Sequence, residues 1–271
     1  RLSGIVLDDS IFDRQYRHPE WPVDQATAWY QAPVGGLNFN DNCIDASFRL
    51  RGGVAELSIR PTLPPEFYRN QIRSGKTHAP RARRAPDSDI FEFVGTASRD
   101  DSFGSVSVGQ PTVFFGYALR EALAQRGILI ENRVIRRTLS QHVLAVAELL
   151  DTRVTTMEEV LERCNKNSQN LFAECLLKAL AAYGRDGRRS GVPGSWSGGI
   201  DVLRDTLIGM GIDMSGAVLS DGSGLSHGNR VTAAQIVALL RHMHRHPRAE
   251  VFKSTLARPG EEGTLRAKRW N

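Results

Sequence analysis

Asn165-Lys166-Asn167-Ser168-Gln169-Asn170-Leu171-Phe172-Ala173-Glu174 joins a polar break to the first turn of an apolar helix. Residues 165–168 carry small polar side chains that compete with a helical backbone for its hydrogen bonds, so they read as a break. Beyond it Leu171, Phe172, Cys175, Leu176, Ala179, Leu180 and Tyr183 recur at helical spacing, and Gly184 marks the stop. Ser168 and Asn170 therefore stand at the start of a buried helix, where their side chains are held rigidly. Alone, Ser-x-Asn reads as a helix cap.

Helices flank this stretch. Thr155 or Thr156, with Glu158 and Glu159 three residues on, offers a capping box for a helix through Cys164. Downstream, a Gly- and Ser-rich loop over 187–199 leads into a helix from Ile200 to about Met210. Thr232 and Gln235 form a second capping box, opening a helix that Pro247 stops. Upstream, Phe114, Phe115, Ala118, Leu119, Ala122 and Leu123 define another, with Pro111 suited to its first turn and Gly127 just past its end.

The first hundred residues have a different period. Residues 5–7, 46–50, 54–60, 90–94 and 105–108 are β-rich runs separated by Gly, Pro and Asn clusters, and 128–130 and 134–135 add two short strands. Residues 61–88, rich in Pro and Arg, read as a long irregular surface loop. Within it Lys76-Thr77-His78-Ala79-Pro80-Arg81-Ala82-Arg83-Arg84 concentrates the basic excess. No aromatic residue interleaves these arginines, so the run reads as solvated charge and no nucleic acid is expected.

The 271 residues, 41% hydrophobic and 24% charged with a net charge of +5, allow one large domain or two modest ones. No apolar run approaches the ~20 residues that span a bilayer, so no transmembrane segment is expected. Cys43, Cys164 and Cys175 match neither a disulfide framework nor a metal-ligand spacing and read as buried thiols, a residue type exported proteins usually avoid. His242 and His246 share a helix face without a carboxylate at matching spacing, so no metal or other cofactor is expected. Trp21, Trp29, Trp196 and Trp270 read as packing residues. Asp221, Gly222, Ser223 and Gly224 are turn chemistry, and Ser223 lacks the Gly-x-Ser-x-Gly of a nucleophile elbow.

Several stretches together resemble the penicillin-binding protein 4 family, the class C low-molecular-mass D-alanyl-D-alanine carboxypeptidases and endopeptidases. They are residues 165–174, the block Ser220-Asp221-Gly222-Ser223-Gly224-Leu225-Ser226-His227-Gly228-Asn229-Arg230-Val231-Thr232-Ala233, and Arg258-Pro259-Gly260-Glu261-Glu262-Gly263-Thr264-Leu265. Residues 111–123, Asp8-Asp9-Ser10-Ile11-Phe12 and Trp21-Pro22 add to them.

The resemblance implies an α+β fold, part of a β-lactamase/transpeptidase-like domain of helices on an antiparallel sheet, with an inserted β-rich accessory module. Residues 1–109 would be accessory and 110–271 catalytic. It also implies acyl transfer by serine on peptidoglycan stem peptides, outside the cytoplasm, with β-lactams as ligands of the complete site. Ser168 would relay protons, Asn170 would hold a lysine and the substrate amide, and Asp221, Gly222, Ser223 and Gly224 would support the site from behind. Such enzymes also use Ser-x-x-Lys and Lys-Thr-Gly. Neither occurs in residues 1–271, and Lys76-Thr77-His78 fails at its third residue. The resemblance thus implies the central part of a longer family member, without activity alone; the alternative is a noncatalytic wall-binding or scaffolding protein on the same fold.

Overall fold

The computed structural model describes residues 1–267 except Asp87 and Asn132, and at Gln141 and His142 the backbone only. Contacts divide the chain into two units: residues 1–10, 14–17 and 21–139 form the first, and residues 11–13, 18–20 and 140 onward the second.

The first unit contains β1 (Ile5–Leu7), β2 (Cys43–Arg51), β3 (Val54–Arg60), β4 (Tyr68–Ser74), β5 (Arg81–Arg83), β6 (Phe91–Ala97), β7 (Asp101–Ser107), α1 (Pro111–Ala124) and β8 (Val134–Arg136). Six strands form one sheet in the order β5-β6-β4-β3-β2-β7. Alternation builds it. In β2, Ile44, Ala46 and Phe48 are buried while Asp45 and Arg49 face outward, opposite Arg60 and Glu56 of β3. Gly52 and Gly53, at φ 56° and 85°, supply the two positive dihedrals that a tight hairpin between these strands needs. Phe48, Phe91 and Phe93 form the aromatic centre of the core, joined by Phe114 of α1.

Residues 61–88 are more ordered than their composition suggests. Strand β4 pairs in parallel with β6, and β5 pairs with β6 on its other side. Ile72 is the single buried residue of β4, so no period-2 alternation announces it; main-chain pairing holds it instead. The basic run is likewise only partly solvated. Arg84 is buried, with its guanidinium donating to the carbonyls of Ser107 at 2.9 Å and Ala26 at 2.8 Å.

Strands β1 and β8 pair in parallel, and a Cβ on Gly116 of α1 would meet Leu7 and Val134 at 2.6 Å. Helix α1 thus packs with the first unit. The contact boundary accordingly falls after Leu139.

The second unit contains α2 (Gln141–Val146), α3 (Met157–Asn167), α4 (Asn170–Tyr183), α5 (Trp196–Gly209), α6 (Ala233–Arg245) and α7 (Ala249–Thr255). Capping boxes open α3 at Thr156 and α6 at Thr232. Helix α5 begins at Trp196, ahead of the expected Ile200, because Ser195 Oγ accepts from the Gly198 N–H at 3.1 Å and caps it. Short α2, capped by Ser140, carries no apolar period that foretells it. Among the described residues no helix is long and apolar enough to cross a membrane. Trp270 lies outside the described residues.

Phe93 is fully buried among Phe91, Phe103 and the β2 side chains. Phe93→Ala is expected to lower stability by about 3–5 kcal/mol, read as the midpoint shift in urea denaturation, while Val54→Ala on the exposed hairpin shifts it little.

Candidate active site

The Ser168 backbone is left-handed, at φ 54° and ψ 48°, and with Gln169, the N-cap of α4, it forms the two-residue corner that separates α3 from α4. Helix α3 therefore runs on to Asn167 instead of breaking from Asn165. A serine in this region costs on the order of 1 kcal/mol, so the surrounding contacts must hold the corner. They come from the chain around 255–264. Asn165 Nδ2 donates to the buried Thr255 hydroxyl at 2.9 Å, and the Thr264 N–H donates to the Lys166 carbonyl, also at 2.9 Å. A Cβ on Gly263 would collide with that same carbonyl, which fixes glycine there. Ser168 is exposed at the corner, and Asn170, half-buried, opens α4.

Along α4, Asn170, Glu174 and Lys178 occupy successive turns of one face. Its buried residues are Leu171, Glu174, Leu177, Lys178 and Ala182, whereas Tyr183 of the expected apolar stripe is exposed. The helix thus buries a carboxylate and an ammonium.

Glu174 Oε2 accepts from Trp196 Nε1 at 2.7 Å and from the Gly222 N–H at 2.9 Å, and Oε1 accepts from the Ser223 N–H at 2.8 Å. Burial pushes its carboxyl above the ordinary glutamate range, and these donors pull it part of the way back. Lys178 Nζ pairs with Asp13 Oδ1 at 2.6 Å and lies 3.7 Å from the centroid of the Trp196 ring. Its pKa is lowered by burial, against which Asp13 acts. His18 meets Trp196 edge-on at 5.1 Å. Trp196 is therefore an electrostatic bridge as well as a packing residue.

The 221–226 turn closes on Asp221. Asp221 Oδ1 accepts from the Gly224 N–H at 2.9 Å and from Asn229 Nδ2 at 2.7 Å, while Oδ2 accepts from the Ser226 N–H at 2.6 Å. Gly224 sits at φ 79°, the left-handed conformation the turn requires. Gly222 serves a different purpose: a Cβ there would lie 2.6 Å from the Ala173 carbonyl oxygen and 3.2 Å from Leu177 Cβ. The Ser226 hydroxyl donates to Glu20, a hydrogen bond that holds the Glu20 carboxyl below its ordinary range.

Of the residues singled out from sequence, Gly222 and Ser223 thus dock through their amides on the helix that Asn170 begins, and Asp221 and Gly224 shape that turn. Ser168 joins them through the corner. Glu174, Lys178, Trp196, Asp13 and Glu20 were missed as a set; the one available signal was Glu and Lys spaced by four in an otherwise apolar helix. Lysines nearby are engaged elsewhere, Lys166 with Glu162 at 2.5 Å and Lys178 with Asp13. The ring centroids of His242 and His246 lie 6.2 Å apart, and among the described residues no three His, Cys, Asp or Glu groups converge to hold a metal.

Three stretches distant in sequence therefore meet around 165–174, and the family model of the D-Ala-D-Ala carboxypeptidase 3 (S13) family matches residues 2–270. The chain belongs to this family. Among S13-like relatives, it is 26% identical to the D-alanyl-D-alanine carboxypeptidase of Actinomadura sp. (strain R39), over 96% of this chain and 49% of that protein. It is 23% identical to the D-alanyl-D-alanine carboxypeptidase DacB of Haemophilus influenzae, over 98% of this chain and 56% of that one. The chain spans about half the length of these curated relatives. The crystal structure of penicillin binding protein 4 (dacB) from Haemophilus influenzae superposes with a TM-score of 0.77 at 22% identity, covering 98% of this chain and 58% of that one. A second structure of that protein, complexed with a β-lactam, gives 0.66 at 20% identity over 87% of this chain and 54% of that one. The S13 chain thus has the α+β, transpeptidase-like fold.

Because the turn can approach α4 only without a side chain at residue 222, Gly222→Ala is expected to cost about 1–3 kcal/mol, measured by urea denaturation of residues 1–271.

Proposed function

We propose that this S13 chain carries one wall of a serine-type D-alanyl-D-alanine carboxypeptidase or endopeptidase acting on peptidoglycan stem peptides. The observation that carries the reading is the left-handed Ser168 corner, braced by the 255–264 segment and continued by an α4 whose buried face anchors the 221–226 turn.

In this reading the catalytic serine attacks the carbonyl carbon of the terminal D-Ala-D-Ala bond. The nitrogen of the last D-Ala leaves with a proton, and water then hydrolyses the ester. Ser168 relays protons between a lysine and the leaving nitrogen. Asn170 holds the lysine of the nucleophile motif and hydrogen-bonds the substrate amide. Asp221, Gly222, Ser223 and Gly224 support this wall from behind. The residues ahead of α1 are the accessory part, and those from α1 onward the catalytic part.

Ser-x-x-Lys and Lys-Thr-Gly are absent from residues 1–271, so acylation is proposed for a protein that also carries those motifs, and none for residues 1–271 alone. The substrate places the protein outside the cytoplasm, where free thiols are at risk. Burial pushes the Cys43 thiol up to about 12, which keeps it protonated and unreactive. Family membership, the names of the relatives and the β-lactam complex of the Haemophilus influenzae protein support the reading.

The test is acylation by benzylpenicillin, followed by intact-mass spectrometry on the protein from the full open reading frame. A single serine adduct is expected there and none on residues 1–271; Ser168→Ala should slow acylation about 10²-fold or more. A folded full-length protein with no adduct overturns the enzymatic reading, and retention of soluble peptidoglycan by it would then favour a noncatalytic wall-binding role.

A further inference from the structure

We propose that Glu174 is a positioning residue for acyl transfer, the group that fixes the 221–226 turn against the Asn170 end of α4. The proposal rests on the acyl-transfer reading above and adds to it a residue outside the three motifs.

Glu174 stands one helical turn after Asn170 on the same face, with no exposed surface. Both its oxygens are committed, Oε1 to the Ser223 amide and Oε2 to the Gly222 amide and the Trp196 indole. An ionised carboxylate makes such bonds stronger than a neutral acceptor does, and in a dry site they have no competition from water. The indole is fixed in turn. Lys178, one turn further along α4, lies against its face, and Asp13 holds Lys178.

Two successive amides of the turn, one indole and two turns of α4 therefore share a single carboxylate, while Gly222 brings the turn into contact with the Ala173 carbonyl. A displaced turn alters where the Asn170 amide lies relative to a bound acyl group. Errors of this kind lower the rate of bond formation more than the affinity for the ligand.

Glu174→Gln tests this with the shape kept: one oxygen becomes an NH₂ group that faces N–H donors. The first arm is hydrogen–deuterium exchange on residues 1–271. Peptides covering 221–226 are expected to exchange about tenfold faster in the variant. A folded variant exchanging at the wild-type rate overturns the tether.

The second arm uses the full-length protein with benzylpenicillin and separates the acylation rate constant from the preceding binding constant. The expected result is a rate constant lower by about 10–100-fold with binding unchanged. If the variant loses only titratable sites while the remainder acylates at the wild-type rate, Glu174 is merely structural and the proposal fails. Should Glu174→Gln not fold, Trp196→Phe, which removes the indole donor together with part of the ring that Lys178 lies against, should move both readouts in the same direction; wild-type values for it overturn the proposal. If wild-type full-length protein forms no adduct, the acyl-transfer reading falls together with the positioning role, and the exchange arm still decides whether the tether exists.

Discussion

Taking a carboxylate out of water costs several kcal/mol unless its lone pairs meet donors. In α4 the donors that meet Glu174 are parts of other segments: an indole from the start of α5 and two amides from a turn more than forty residues away along the chain. That requirement organises the second unit. The turn must arrive with its N–H groups forward, so Asp221 curls it from inside and Gly224 takes a left-handed dihedral. Trp196 must present its indole edge to Glu174, and Lys178 occupies the face left over. A hydrophobic residue at 174 would pack in the same space and organise none of this.

Legibility in the sequence follows from how local the determining physics is. The strands on either side of Gly52-Gly53, the capping boxes at Thr156 and Thr232, and α1 from Pro111 to Ala124 depend on neighbours within a few residues, and they are readable. Strand β4 is not, since Tyr68-Arg69-Asn70-Gln71-Ile72-Arg73-Ser74 owes its conformation to main-chain pairing with β6. The start of α5 was hidden by its own glycines, which read as loop but serve as contact points.

The candidate site divides the same way. Ser168 and Asn170 are legible through their neighbourhood, as is the turn chemistry of 221–224. The charged face of α4 is not. Helical periodicity sorts residues by hydrophobicity, so it assigns Glu174 and Lys178 to solvent, and only the distant partners Asp13, Trp196, Gly222 and Ser223 reverse that assignment. A change of period at α1 likewise says nothing of where Phe114 will pack.

The glycines around α4 bear on how this unit tolerates divergence. Gly194 and Gly199, five residues apart around the start of α5, and Gly222 of the 221–226 turn come from two separate segments, and a Cβ on any of them would collide with a main-chain carbonyl of α4, those of Lys178, Leu177 and Ala173 respectively. The helix is therefore gripped largely by backbone, and backbone is the part of a protein that substitution does not replace. Side chains elsewhere can drift while the axis of α4 keeps its place, provided these small residues persist.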